Sequence, residues 1–382
     1  MRLLLLLTLS GTALTAAAQP LGLPPLPIPA DNPQTPEKVE LGERLFNDVR
    51  FSSTGAVSCA NCHAADTAFT DALAVSQGID GLLGTRNAPT VVNAAYNETQ
   101  FWDGRSPTLE DQALHPFLNP VEMAMPSHDA LLEIIREDRE YVRGFRDVFD
   151  VRAEDITIEH VTKAIAAFER TQISGDSPFD RWYFGGEAGA ISPAAQRGFE
   201  VFLTDGRCVS CHMIEQDHAL FTDHQFHNVG IGINDIQNRA PELAKAFLIA
   251  KNEGIDVDVA VLGDADTSHL GRFAVTDDLS MIGAFKTPTL RNVARTAPYM
   301  HDGSLATLRE VIEHYNNGGV TPAEAPVNPY ISGGIRPLEL TEQQMDDLVA
   351  FMEALTSPQF EELAEPEPVA GLRPQDAASN ER

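Results

Sequence analysis

Cysteine, tryptophan, basic residues and long apolar runs are all scarce in this chain of 382 residues. It has 4 cysteines and 2 tryptophans, and only 27 Lys and Arg against 56 Asp and Glu, which gives a formal net charge of -29. Nucleic acid and anionic membrane surfaces would repel such a chain, so we expect neither as a partner. No apolar stretch after residue 18 approaches the roughly 20 residues that cross a bilayer, so we also expect no membrane span.

The long apolar run that does occur lies at the N-terminus. Arg2 precedes an apolar segment that ends in alanines at positions 16–18. This order is typical of a secretory signal that is cleaved on export. We therefore predict a signal peptide at residues 1–18 and a periplasmic location for the mature protein. Residues 19–34, which are rich in proline, are predicted to be a mobile extension, and residues 359–382 a disordered tail.

The cysteines all belong to two copies of the pattern C-x-x-C-H. The copies are Cys59, Cys62 and His63, and Cys208, Cys211 and His212. In this pattern both thiols attach to one porphyrin, and the adjacent imidazole is placed to ligate its iron. A disulfide framework or a zinc site can also use cysteine, but neither accounts for two complete copies that leave no cysteine over. The sequence therefore predicts two covalently bound c-type haems.

The sequence around the two motifs is repeated. Residues 89–93 match residues 288–292 in the pattern P-T-x-x-N, and residues 103–109 match residues 302–308 in the pattern D-G-x-x-x-T-L. Both matches have the same offset, because 288 minus 89 and 302 minus 103 both equal 199. An internal repeat of this kind marks a duplicated structural unit. It predicts two cytochrome c-like domains, each of which carries one haem.

Apolar residues recur with the helical period, and the sequence shows no sustained alternation typical of strands. The period predicts helices over residues 38–48 and 193–203, which lead to the haem motifs, and core-facing stripes over residues 161–168 and 345–355. The predicted fold class is therefore mainly α, with two tandem cytochrome c-like haem domains and long loops. The predicted domains are the N-terminal residues 35–185 and the C-terminal residues 186–358.

The group that faces each iron opposite its histidine decides the function, because an enzyme must leave one axial position open for its substrate. Opposite His212, the helical spacing turns Tyr315 inward. This tyrosine is either an iron ligand or a core residue with a bonded hydroxyl. Met300 is a rival ligand, since His and Met are the usual pair in electron-transfer cytochromes c. His301 and His314 are further candidates.

The distal side of the first haem differs from that of the second. The offset of 199 relates Tyr315 to Pro116, and proline cannot ligate iron. No histidine lies between His63 and His115, and His115 remains an alternative ligand because it adjoins Pro116. We therefore expect the iron held by His63 to be open to a substrate.

Side chains near this open position could carry chemistry. Peroxide cleavage needs a group that takes a proton from the bound oxygen and returns it to the leaving oxygen, and a buried carboxylate can do both. Glu122 is the candidate for this role, and Gln112 is the candidate for a neutral positioning partner. Each of them could instead be solvated or cap a helix. Trp102 is either a core residue or a relay for electrons between the irons.

At these residues the chain resembles the di-haem bacterial cytochrome c peroxidase and MauG superfamily. The resemblance extends over about residues 35–358. It rests on both C-x-x-C-H motifs and on residues 86–90, 101–105, 109–113, 119–123 and 286–293. It implies a peroxidase that reduces hydrogen peroxide with electrons from a donor protein such as a small cytochrome c or a cupredoxin.

The resemblance also implies roles for single residues. Trp102 would lie between the haems, and Gln112, Pro116 and Glu122 would line the distal pocket of the first haem. A calcium ion would be held between the domains through oxygen atoms, which suit that cation. Its ligands would be Asn87, Thr296 and Pro298.

Certain positions resemble the MauG branch of the superfamily. Ile79 falls near the place of a loop histidine that caps the first haem in typical peroxidases, and Tyr315 takes the place of their methionine ligand. The resemblance therefore implies Tyr315 as an axial ligand, and an anionic oxygen donor favours ferric and higher oxidation states. Gly206 stands where MauG has a surface tryptophan that serves its partner protein, which argues against maturation of a quinone cofactor.

Two other functions stay open at this point. The protein could use peroxide to oxidise side chains of a partner protein. It could also be a non-enzymatic di-haem electron-transfer cytochrome, which would require both irons to be six-coordinate.

Overall fold

A computed structural model describes residues 19–319 and 329–363, which form a mainly helical fold with long connecting loops. The predicted signal peptide at residues 1–18 and residues 364–382 of the predicted tail lie outside the described residues. In the part of the chain that is described, no helix is both long enough and apolar enough to cross a bilayer.

Helices follow one another along the described chain, with one short pair of strands among them. The α-helices are α1 (Pro36–Phe46), α2 (Cys59–Cys62), α3 (Leu109–Gln112), α4 (His115–Leu118), α5 (His128–Glu137), α6 (Arg139–Phe149), α7 (Ile158–Glu169), α8 (Pro178–Tyr183), α9 (Pro193–Leu203), α10 (Ile233–Ile236), α11 (Ala240–Asn252), α12 (Val257–Gly263), α13 (Ala265–Ser268), α14 (Phe273–Thr276), α15 (Leu308–Asn316) and α16 (Glu342–Glu353). Single 3₁₀ turns are Val49–Phe51, Ala65–Thr67, Ile79–Gly81, Ala94–Tyr96, Ala153–Asp155, Cys208–Ser210, Leu279–Met281, Val293–Arg295 and Pro358–Phe360. Strands β1 (Phe226–His227) and β2 (Phe285–Lys286) pair antiparallel, with Phe226 opposite Lys286.

Two pairs of helices cross in the same way, one pair in each half of the chain. α1 packs on α7 and α9 packs on α16, and each crossing passes over a glycine. A Cβ atom on Gly42 would lie 1.9 Å from the carbonyl oxygen of Ala164, and one on Gly198 would lie 1.8 Å from that of Asp347. The backbones approach this closely only because glycine has no side chain. The crossings therefore repeat the duplication that the sequence predicts.

The helices predicted from apolar periodicity agree closely with the structure. α9 spans the predicted residues 193–203. α1 begins before the predicted range 38–48 because Pro36 takes the first helical position. The apolar stripes at 161–168 and 345–355 lie on α7 and α16, which pack into the cores of the two halves.

The segment 19–34 packs against both halves, which differs from the mobile extension that its prolines predict. The carbonyl of Gly22 accepts a hydrogen bond from Arg291 Nη2 at 2.5 Å. Asn32 is fully buried, and its side chain donates to the carbonyl of Lys163 at 2.9 Å. Composition reveals no such long-range partners, and they hold the segment in place.

The first residues of the predicted tail are packed as well. Phe360 is 6% exposed and belongs to the core of the N-terminal half, and Leu363 packs against the same core. Arg295 Nε donates to the carbonyl of Phe360 at 3.1 Å. The prediction of a disordered tail from residue 359 is therefore wrong at its start.

The segment that links β1 to β2 in the sequence forms a separate small core. The apolar faces of α10 to α14 form a buried cluster that includes Ile233, Phe247, Val261 and Phe273. We call residues 229–284 the insertion. The sequence prediction assigned it to the C-terminal domain without distinguishing its core, because no motif marks the ends of its helices.

We predict that Gly42→Ala lowers the stability of the protein. The added methyl group has to displace the backbone of Ala164, and overpacking of this kind costs about 1–3 kcal/mol of unfolding free energy. Denaturant unfolding followed by circular dichroism measures the change. Gly189→Ala is the matched control, because a Cβ atom there meets open space and surface substitutions stay within about 0.5 kcal/mol. Equal stability of the two variants would contradict the close crossing.

Candidate haem and peroxide site

One cavity of about 850 Å³ is bordered by both halves of the chain. Both C-x-x-C-H motifs contribute to its wall, as do the distal positions that the sequence singles out. The predicted site residues that border it are Cys59, Cys62, His63, Asn87, Trp102, Gln112, Pro116, Glu122, Cys208, Cys211, His212, Thr296, Pro298 and Tyr315. The structure therefore brings together every site residue predicted from the sequence, and their chemical roles remain predictions.

The motif histidines share one geometry. Nδ1 of His63 lies 3.2 Å from the carbonyl oxygen of Phe69, and Nδ1 of His212 lies 2.8 Å from that of Phe221. A ring nitrogen that donates to a carbonyl fixes the tautomer and leaves Nε2 with a lone pair for a metal. Burial lowers the pKa of both imidazoles, which keeps them neutral. With the free thiols of all four cysteines, this donor set fits a covalently attached haem at each motif.

Tyr315 borders the cavity on the side of the second haem motif. No described residue forms a hydrogen bond with its hydroxyl. Burial raises the pKa of that hydroxyl above its usual range, with a smaller contribution from Cys208 and Cys211. The hydroxyl is therefore available to a ligand in the cavity. Met300 also borders the cavity, so the rival ligand lies within the same site.

The histidines considered as ligands have protein partners. Nε2 of His314 lies 2.7 Å from a backbone carbonyl oxygen, and Nε2 of His301 lies 3.3 Å from Nδ1 of His269. The ring of His115 meets the ring of Phe101 edge-on at a centroid distance of 5.6 Å, and His115 is not among the described residues that border the cavity. Tyr315 and Met300 therefore remain the candidates for the second iron.

The first half differs from the second at the helix that carries the distal position. α15 runs unbroken through Tyr315, whereas its counterpart stops as α3 at Gln112 and resumes as α4 at His115. Pro116 has no N–H to donate to the carbonyl of Gln112, which accounts for the gap between α3 and α4 just before it. At the position equivalent to Tyr315, this element therefore carries a side chain without a ligating atom.

Glu122 lies on the cavity wall with its Oε2 atom buried and without a hydrogen-bond partner among the described residues. Burial and the negative charge of Asp258 raise the pKa of Glu122 to about 8, although Arg105 acts in the opposite direction. The carboxyl group is therefore protonated at neutral pH and can donate a proton into the cavity. Its backbone is fixed, because the Glu122 N–H donates to the Asn119 carbonyl at 3.1 Å and its carbonyl accepts from the Ile79 N–H at 3.0 Å.

A buried ion network forms one side of this pocket. Asp103 is fully buried between Arg86, at 2.6 Å, and Arg105, at 3.0 Å. Arg105 also binds Asp258 of the insertion at 2.6 Å, and Asn119 donates to the same carboxylate at 2.6 Å. Burial alone would raise the pKa of Asp103, but the two guanidinium groups hold it well below its usual range. The network fixes the insertion against the loop that carries the candidate acid.

Trp102 joins the two halves of the chain. Its Nε1 donates to the Asn87 carbonyl at 2.9 Å, and its own carbonyl accepts from the Lys286 N–H at 2.8 Å. The side chain of Lys286 is buried nearby, where its Nζ donates to the Thr99 carbonyl at 2.7 Å. Burial lowers the pKa of Lys286 to about 8, although Asp103 partly opposes this shift. Trp102 thus lies at the boundary where a relay between two haems would be needed.

The predicted calcium ligands Asn87, Thr296 and Pro298 all border the same cavity. The N–H of Asn87 donates to the His301 carbonyl at 2.8 Å, which ties it to the turn that follows Pro298. Its side-chain nitrogen donates to the Leu73 carbonyl at 2.8 Å, so its side-chain oxygen is the atom left for a cation. Together with Thr296 these residues offer oxygen donors of the kind that calcium prefers. The ion itself remains a prediction.

Sequence reasoning missed the charged residues around Glu122. Asp258 is separated from Arg105 by 153 residues and lies on α12, where no motif marks it. Arg105 belongs to one of the stretches that carry the family resemblance, so a basic residue within such a stretch was the available signal. Lys286 offered the same signal in the run 286–293.

Comparisons with known proteins identify the family of this chain. The family of di-haem cytochrome c peroxidases matches residues 36–188. The methylamine utilization protein MauG of Methylorubrum extorquens is 37% identical over 86% of this chain and 81% of its own length. The cytochrome-c peroxidase IdrP1 of Denitromonas iodatirespirans is 39% identical over 93% of this chain and 92% of its own length.

A solved structure agrees as well. The crystal structure of a MauG-like protein associated with microbial copper homeostasis matches with a TM-score of 0.72 and 33% identity, over 90% of this chain and 98% of that one. These similarities confirm the resemblance inferred from the sequence. The chain belongs to the di-haem cytochrome c peroxidase family and is an oxidoreductase of that family.

Proposed function

We propose that the two halves are tandem haem domains and that the chain reduces hydrogen peroxide on the distal side of His63. Each turnover consumes one peroxide, two protons and two electrons, and it yields two waters. When bound, the haems supply the redox chemistry, with peroxide at the iron of His63 and electron exchange at the iron of His212. The observation that carries the proposal is the buried Oε2 atom of Glu122 on the cavity wall, which has no hydrogen-bond partner among the described residues.

Glu122 supplies the proton that the departing oxygen needs. Its Oε2 atom has no partner among the described residues, so the proton is not committed to another protein group. Gln112 borders the same cavity at the end of α3 and can position peroxide through a neutral hydrogen bond without competing for that proton. Pro116 leaves the position opposite His63 clear because its side chain has no ligating atom.

We propose that Tyr315, together with His212, would hold the second haem through its hydroxyl oxygen. An oxygen donor favours ferric and higher oxidation states, which suits storage of an oxidising equivalent. This preference supports a second candidate function, in which peroxide is used to oxidise side chains of a partner protein, as the similarity to MauG suggests. Trp102, at the boundary of the two halves, is the proposed electron relay.

The proposal also includes a cellular location, an electron donor and a structural calcium ion. Export through residues 1–18 would place the protein in the periplasm. The net charge of -29 favours a basic donor, such as a small cytochrome c or a cupredoxin. Calcium held by Asn87, Thr296 and Pro298 would stabilise the boundary between the domains.

We predict that Tyr315→Phe alters the low-spin ferric signal of the second haem. The variant keeps the ring but removes the oxygen that we propose as ligand, so the iron loses its sixth donor. Electron paramagnetic resonance of the oxidised protein measures this. Met300→Leu is the matched control, since it removes the rival sulfur, and we expect it to leave the signal intact. The reverse pattern would show that Met300 is the ligand.

We predict that Glu122→Gln slows the reaction with peroxide by on the order of 10²–10⁴, which is the usual contribution of a positioned acid–base group. Stopped-flow mixing with peroxide measures the rate, and the resting spectrum should not change. Glu169→Gln is the matched control. Glu169 is also buried with its pKa raised to about 8, but it lies on α7, outside the distal loop. A similar loss of rate in both variants would assign the effect to the cavity in general.

The pH dependence tests the same carboxyl without removing it. Because Glu122 donates its proton, the peroxide rate should fall as pH rises through about 8. Asp258→Asn removes a charge that raises this pKa and leaves Arg105, which lowers it, less well paired. The inflection should therefore move to lower pH in Asp258→Asn. An inflection that stays in place would show that another group sets the pH profile.

A further inference from the structure

A buried cluster of potential metal ligands lies where the insertion meets the second half. It consists of His269, His301 and Asp302, whose ligand atoms all lie within 4.8 Å of one another. His269 follows α13 in the insertion, and the other two belong to the turn before α15. His269, His301 and Asp302 are 8%, 3% and 9% exposed, respectively. His301 borders the large cavity, whereas the other two are not among its described lining residues.

The spacing of the two imidazoles matches a shared ion. Nδ1 of His269 lies 3.3 Å from Nε2 of His301, and the two rings are nearly perpendicular, at 83°. Two nitrogens bound at 2.0–2.1 Å to one tetrahedral zinc ion lie about 3.3 Å apart. A simple hydrogen bond between the rings gives a similar distance, so this distance alone does not distinguish a metal site from a hydrogen-bonded pair. The third member of the cluster adds the distinguishing feature. Asp302 adds a carboxylate, which completes a set of two imidazoles and one carboxylate.

The surroundings hold these side chains in place. The ring of His301 stacks on Phe285 with centroids 3.6 Å apart and planes inclined by 14°. Asp302 accepts from the Ser304 N–H at 3.1 Å. The backbone at Gly232 leaves room for His269, because a Cβ atom there would lie 2.0 Å from Nδ1. Ligand side chains fixed in this way by a second layer of contacts are typical of metal sites.

The charge around the cluster is compatible with a cation. Arg86 is a buried positive group beside the cluster, and it donates to Ser268, next to His269. Its own charge is offset by Asp103 at 2.6 Å. Two neutral imidazoles and the carboxylate of Asp302 therefore leave one negative charge that a divalent ion would balance. Without an ion, Asp302 has to bury that charge or take up a proton.

We propose that His269, His301 and Asp302 bind a divalent transition-metal ion of the zinc type. Imidazole and carboxylate donors suit such an ion, and a water molecule would complete four-coordination. The site shares no ligand with the haem motifs or with the predicted calcium ligands. Because one ligand comes from the insertion and two from the second half, the ion would join these two parts of the fold.

Zinc binding to the haem-loaded protein tests the proposal. The protein is treated with a chelator, returned to calcium, dialysed against Zn²⁺ and analysed for metal content by mass spectrometry. We expect one zinc per chain in the unaltered protein, and zinc-edge X-ray absorption should show imidazole ligands. His269→Ala should weaken zinc binding by more than about 100-fold, since even a residue that only orients a ligand contributes 10–100-fold. Zinc should raise the melting temperature of the unaltered protein but not that of His269→Ala.

His218→Ala is the matched control, because His218 is a histidine outside the cluster that pairs with Asp217. It should keep the bound zinc. Asp302→Asn is a second variant in case His269→Ala fails to incorporate haem, and it should also lose zinc. An unaltered protein that binds no zinc would overturn the proposal, and so would zinc retained in both cluster variants with normal haem spectra. In those cases the histidines form only a hydrogen-bonded pair.

Discussion

The pocket depends on a buried carboxylate, Asp103, that lies between two guanidinium groups. Removing such charges from water costs several kcal/mol per ion unless partners meet them. Arg86 and Arg105 therefore have to stay where the structure places them, at 2.6 and 3.0 Å from the carboxylate. Arg105 also binds Asp258, which extends the constraint to the insertion. The fixed charge of Asp258 and the dry surroundings then keep Glu122 protonated.

The two halves share a frame but differ on their distal sides. In both, a helix pair crosses over a glycine and the motif histidine bonds to a backbone carbonyl. Both distal elements also start at a capping threonine, Thr108 in one half and Thr307 in the other. The difference arises later, where a gap between α3 and α4 precedes Pro116, whereas its counterpart Tyr315 lies within the unbroken α15. The side chain at this equivalent position is thus one difference between the proposed substrate site and the proposed ligated site.

The sequence predicts features that local pattern or internal repetition encodes. The haem motifs, the helices that lead to them and the relation of Tyr315 to Pro116 all follow from spacing, and the structure brings every predicted site residue to one cavity. The environment of Glu122 does not follow from spacing, because Asp258 reaches it from a remote helix. The packing of residues 19–34 could not be predicted for the same reason, because its partners are remote in the sequence. Arg291 and Gly22 are far apart in the sequence, so no local pattern indicates their hydrogen bond. Only the folded chain brings them together.

The central claim is that the first haem has an open distal side while the second is ligated on both sides. Electron paramagnetic resonance of the fully oxidised protein, before and after addition of peroxide without any reductant, tests it most directly. The account predicts a high-spin ferric signal beside a low-spin one, and loss of the high-spin signal within seconds of adding peroxide. A protein that is wholly low-spin and unreactive until it is half-reduced would contradict the account.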